Sequence, residues 1–222
     1  MAYDDAVHAW FVEQPHAREH VHCLDQLIFE LKNQDGTGHR FDETLCRVAV
    51  TAIGDYALAR AFPDLEAWGR CLRELAERHR GHANIQLELA HGAAIAMMAY
   101  GSVHAFADME KWGRCLRELA GRHPERSDIQ LQLARGAVNA IRDYGSVQSF
   151  TELEVWGGYL RELGECNMEH AEIRIRLASG ATNAIISYGS AQTYGELEAW
   201  GQYLREVVTH SAASQTSLRE AA

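Results

Sequence analysis

Apolar residues return along this chain at helical spacing, and the returns themselves repeat. Leu65, Trp68, Leu72 and Leu75 stand three, four and three residues apart, which places them on one stripe of an α-helix. The phrase around them comes back about Trp112, Trp156 and Trp200, each tryptophan 44 residues after the one before. A second phrase lies between. Ile85, Leu89, Gly92, Ala93, Ala96, Met97 and Tyr100 share a face, and residues 89–101 are echoed by 133–145 and 177–189, each ending in Tyr-Gly. A fixed period of this size marks stacked supersecondary units, each touching only its neighbours. The pattern predicts an all-α helical solenoid of about four 44-residue helix-turn-helix repeats.

The ends of the array follow from the same register. Residues 1–14 hold a short amphipathic stretch (Ala6, Val7, Trp10, Phe11) that predicts an N-terminal capping helix before the break at Gln14-Pro15. Residues 15–33 are a worn copy of the first phrase, with Leu24, Ile28 and Leu31 in the places of Trp68, Leu72 and Leu75. Asp35-Gly36-Thr37-Gly38 predicts a turn, and residues 41–56 copy the second phrase. The repeat domain is thus expected over 15–209. The last repeat lacks a recognisable second helix, so 210–222 is expected to be a flexible tail. Thr151-x-x-Glu154 predicts a capping box, and Gly101, Gly145 and Gly189 predict left-handed helix ends.

Glycine inside a helix is unfavourable by about 1 kcal/mol against alanine. The chain nevertheless places one after each repeated tryptophan, at Gly69, Gly113, Gly157 and Gly201, and one in the second helix at Gly92, Gly136 and Gly180. These positions predict close helix approach, with each tryptophan filling the space beside the contact.

Leu65-x-x-Trp68-Gly69-x-x-Leu72, followed by the small-residue helix Gly92-Ala93-x-x-Ala96, resembles the tetratricopeptide repeat over about residues 15–209. The junctions Glu77-Arg78-His79 and Gly121-Arg122-His123-Pro124 are similar to linkers of a long-helix bacterial variety. The period of 44, the late tryptophan and the missing closing proline depart from the usual pattern and leave a HEAT-like solenoid open. The resemblance implies a right-handed superhelix whose first helices line a concave groove for a protein or peptide. It implies no catalysis and no cofactor.

Charge and chemistry narrow the function classes. A net charge of −10, with no basic stripe, argues against nucleic acid and against an anionic membrane surface. The five cysteines form neither a disulfide framework nor a metal-binding pair, and no secretory leader is visible, so a cytoplasmic protein is expected. The longest apolar run, residues 93–100, is too short to span a bilayer.

Three sets of residues are candidate partner-binding positions. Arg73, Arg117, Arg161 and Arg205 share one register and form either a ladder that grips carboxylates or carbonyls of an extended ligand, or a solvated face held by ion pairs four residues apart. Asn139 and Asn183 share a register in the second helix, where an asparagine bonds either the next repeat or a ligand. Ile95 and Met98 are apolar where the other repeats are mainly polar, which marks either an adhesive patch or a covered one. His16-x-x-Glu19-His20 spells a short zinc-site pattern without a distal ligand or a protease scaffold. The expected function is a non-enzymatic protein- or peptide-binding scaffold. The alternatives are a structural spacer or homo-oligomer built through the face of the last repeat, and, remotely, a metal-dependent hydrolase at His16/His20.

Overall fold

The computed structural model describes residues 39–220, and the side chains of residues 42–210. Among the described residues there are eight α-helices and no strand. They are α1 (His39–Ala59), α2 (Phe62–Arg78), α3 (Ala83–Ser102), α4 (Phe106–Arg122), α5 (Ser127–Ser146), α6 (Phe150–Asn167), α7 (Ala171–Ser190) and α8 (Tyr194–Glu220). The architecture is all-α and helical-repeat-like. The expected capping helix, the worn copy at 15–33 and the His16/His20 pair lie outside the described residues. The chain divides into two compact units, Met1–Gly92 and Ala93–Ala222, with the division inside α3.

In the first unit α1 packs against α2. Leu45, Ala49, Ile53, Leu65, Leu72 and Leu75 are buried, as the apolar stripe predicts. A Cβ on Gly92 would lie 2.6 Å from Leu72 Cδ2 and 3.2 Å from Ile53 Cδ1, so only a glycine lets three helices meet there. His79 Nε2 reaches Asp42 Oδ2 at 2.6 Å, and Asn84 donates to Glu43 at 3.0 Å, tying the helix ends together.

In the second unit the second helices α5 and α7 pack on each other, and each also packs on the first helix before it and the first helix after it, α5 on α4 and α6, α7 on α6 and α8. Gly136 takes Met97 Sδ and Leu116 Cδ2 at 2.9 and 3.0 Å from a would-be Cβ. Gly180 takes Leu160 and Val138 in the same way. Leu72, Leu116 and Leu160 stand four residues after successive tryptophans, so one repeated leucine fills one repeated glycine notch within each hairpin.

A glutamine missed in the sequence closes the hairpins. Gln86 Nε2 donates to Ala76 O at 2.8 Å and His79 O at 3.1 Å, and Gln130 Nε2 to Ala120 O at 2.9 Å and His123 O at 3.0 Å. Ala76 O and Ala120 O lie in the last turn of the first helix, where carbonyls run short of intrahelical partners. Both glutamines are buried and hold the same register, which is the signal that finds them.

Two local expectations are corrected. Among the described residues no glycine has a positive φ; the left-handed residue is Arg60, His104, Gln148 or Gln192, three residues beyond the glycine register. Each second helix ends in a Schellman motif, with Ala105 N donating to Tyr100 O at 2.9 Å and His104 N to Gly101 O at 2.9 Å, and likewise at Ser149/Gln148 and Thr193/Gln192. Gly101 and Gly145 serve packing instead: a Cβ there would collide with Asp143 and with Ser187. The capping box at Thr151 is also absent. The helix begins two residues earlier, with Ser149 at the N-cap position and making no side-chain cap bond, and Glu154 points to the next repeat. The backbone of α8 stays helical to Glu220, beyond residue 209 where the tail was expected.

Candidate interaction site

The register of the repeat brings polar residues together between successive hairpins of the second unit. Glu110 on α4 lies two residues before a tryptophan, and its Oε1 accepts from Tyr144 Oη of α5 at 2.9 Å and from Trp156 Nε1 of α6 at 2.7 Å. Glu154 on α6 does the same one repeat later, accepting from Tyr188 Oη of α7 at 2.7 Å and Trp200 Nε1 of α8 at 2.8 Å. One carboxylate oxygen thus ties a hairpin's own second helix to the first helix of the next hairpin.

The other carboxylate oxygen faces an arginine two turns on. Arg161 Nη1 donates to Glu154 Oε2 at 3.2 Å, and Arg117 Nη1 lies 3.7 Å from Glu110 Oε2. The guanidinium then covers the incoming indole: Arg117 sits 4.8 Å from the Trp156 ring and 4.7 Å from Tyr159, and Arg161 sits 3.8 Å from Trp200. In the first unit Arg73 Nη2 donates to Glu66 Oε2 at 3.3 Å. The carboxylate each arginine reaches is seven residues back, so the pairs run along two helical turns rather than four residues.

The indole needs space, and the glycine after each tryptophan supplies it. A Cβ on Gly113 would lie 2.6 Å from Trp156 Cζ2, and one on Gly157 would lie 2.5 Å from Trp200 Cζ2. The close approach predicted at these glycines is therefore made by the next repeat's indole. Phe106 and Phe150 complete each assembly by stacking on Tyr144 and Tyr188, with ring centroids 4.6 and 4.7 Å apart.

Electrostatics follow the geometry. Burial pushes the Glu154 carboxyl up, but hydrogen bonds from Tyr188 and Trp200 and the Arg161 charge outweigh it and hold the group below the usual carboxylate range. Burial, then the bond to Glu154, raises the Tyr188 phenol well above its ordinary value, and burial with the bond to Glu110 does so for Tyr144. Hydrogen bonds to a charged acceptor contribute about 1.5–3 kcal/mol each, and a covered cation–π pair about 0.5–2 kcal/mol. The clasp is a polar fastener between successive hairpins.

The sequence candidates fall in different places. Arg117 and Arg161 belong to the clasp, and Arg205 is exposed on α8. Asn183 Nδ2 donates to Val138 O of the neighbouring second helix at 3.4 Å, a long bond between repeats, and Asn139 is half-buried. Met98 is exposed, and Ile95 beside it is half-buried. Reading from sequence alone missed Glu110, Glu154, Tyr144 and Tyr188. Their signal is a glutamate two residues before all four repeated tryptophans, at 66, 110, 154 and 198, and a tyrosine closing each second helix.

Among the described residues no group of three or more His, Cys, Asp or Glu is placed to hold a metal ion. Burial drives the Cys46 thiol up to about 12. No described helix is long and apolar enough to cross a membrane. No protein-family model, curated protein or solved structure matches the chain.

Proposed function

We propose that the chain is a non-enzymatic scaffold of the tetratricopeptide-like kind, a right-handed superhelix of about four repeats that holds a protein or peptide. The repeated clasp carries this reading, because it commits the recurring polar side chains to joining hairpins rather than to chemistry. In such an array the first helices line the groove. The exposed edges of Arg73, Arg117 and Arg161, together with Arg205, then face the ligand's carboxylates and carbonyls. Asn139, Asn183, Ile95 and Met98, on the second helices, shape the other surface.

Affinity capture from the native lysate, followed by binding of the purified partner to the purified chain, tests the reading. A saturable protein partner that Arg205→Glu or Met98→Glu weakens supports it. Failure to recover any protein, with turnover of a small molecule by the purified chain, overturns it. A structural spacer is the second reading, favoured by how much of the repeated polar chemistry goes into assembly.

A further inference from the structure

The clasp has a third copy on α8, and nothing among the described residues fills it. Tyr194 takes the place of Phe106 and Phe150 but is 72% exposed instead of stacked on a tyrosine. Glu198 holds the register of Glu110 and Glu154, and Arg205 that of Arg117 and Arg161. Both are exposed, and among the described residues neither side chain has a hydrogen-bond or ion-pair partner. Gly201 has nothing within 4 Å of a would-be Cβ, where Gly113 and Gly157 each carry an indole. The adjoining helix is bare too. Among the described residues Gly189 meets only Leu197 of α8, whereas Gly145 is closed by Ser187 of the neighbouring second helix, and Ile175 of α7 is exposed.

We infer that this face of α7 and α8 is a docking surface for a tryptophan-bearing helix of a partner protein. The indole lies on Gly201 beneath Arg205, and its N–H donates to Glu198. The assignment comes from the molecule itself, which fills the same constellation twice with the same side chain. Glu198 and Arg205 already balance each other in charge, so the occupant is a neutral donor with a flat apolar face. An indole meets both needs, while a lysine or a carboxylate meets neither. A second copy stacked head to tail would offer Leu24 at the tryptophan register and leave Glu198 without a donor. This surface shares Arg205 with the groove of the proposed function but not Met98, so Met98→Glu weakens the groove's partner and leaves this surface intact.

The test titrates the full chain into a labelled, helix-stapled peptide copying residues 194–209 and follows fluorescence anisotropy. Saturable binding is expected, weakened roughly tenfold or more when the peptide's tryptophan becomes leucine. Gly201→Leu in the chain abolishes binding with no loss of thermal stability, because the added side chain meets open space. Glu198→Ala weakens binding as well. The proposal is overturned if the peptide fails to bind at about 1 mM, well beyond the weakest useful affinity, or if the leucine peptide or the Gly201→Leu chain binds equally well. Self-association of the chain alone, seen by sedimentation and abolished by Gly201→Leu, would assign the face to a second copy and overturn the proposal in that direction.

Discussion

Gly157 and Gly201 occupy the same step of successive first helices, each after a buried tryptophan, yet one has no room for a methyl group and the other borders none of the described residues. The flanking phrases are nearly identical, Leu-Glu-Val-Trp-Gly and Leu-Glu-Ala-Trp-Gly. What differs is the next hairpin. In a repeat array the local sequence sets the helix and its stripe, while the neighbour decides whether a given motif is core or surface. Glu154 and Glu198 show the same contrast in polar chemistry, one bonded to a phenol, an indole and a guanidinium, the other bare.

That contrast can be broken most forcefully at the indole. Trp156 is fully buried against Gly113 and Glu110, and Trp156→Ala is expected to destabilise the fold by about 3–5 kcal/mol, read by chemical denaturation. Tyr194→Ala at the open copy should change stability by no more than about 0.5 kcal/mol. Equal losses at the two sites would mean the open copy is not open.

The carboxylates give the next largest effect, and a pH signature with it. Glu154→Gln removes the Arg161 pair and weakens two charge-assisted bonds, for an expected loss of about 1.5–3 kcal/mol at neutral pH. In the unfolded chain Glu154 titrates at its ordinary 4.5, and in the folded chain it titrates lower. The unfolded state therefore takes up the proton first as pH falls. Stability from this group is complete above 4.5 and is lost as pH drops through the folded value, and Glu154→Gln should flatten that part of the stability–pH curve.

The glycines sharpen the comparison by sign. Gly157→Ala gains helix propensity but forces the Trp200 ring aside, a net loss of about 1–2 kcal/mol. Gly201→Ala keeps the propensity gain without the collision and should raise stability by about 0.5–1 kcal/mol. Thermal melts of the two variants moving in opposite directions would confirm the difference.

The smallest expected effect lies at the left-handed turns. Gln148 has φ 57°, which a residue with a side chain adopts at a cost of roughly 1 kcal/mol. Gln148→Gly should recover part of that, seen as a rise in the melting temperature of a few degrees or less. The same substitution at Gln192, next to the open copy, is expected to act alike, because the turn is set within its own hairpin.

Helix spacing, the 44-residue period and the buried stripes of leucine and tryptophan were all legible in the linear order of residues, because helical periodicity is a property of neighbours along the chain. The notches at Gly92, Gly136 and Gly180 were legible too, since a repeated glycine inside a helix is unfavourable without a contact to justify it. The polar clasp was not. Glu110 and its tryptophan partner are 46 residues apart, and a glutamate at the start of a helix reads equally well as a solvated residue or a cap. The helix ends were misplaced for a similar reason: Gly101 and Gly145 look like C-terminal caps, but the side chains of Asp143 and Ser187 from the neighbouring helix claim the space beside them. The residues alone thus determined which segments are helices and which face of each is apolar. Only the packed structure decided which identical motifs are closed and which stands open, because that depends on a side chain from the next hairpin, which no local pattern encodes.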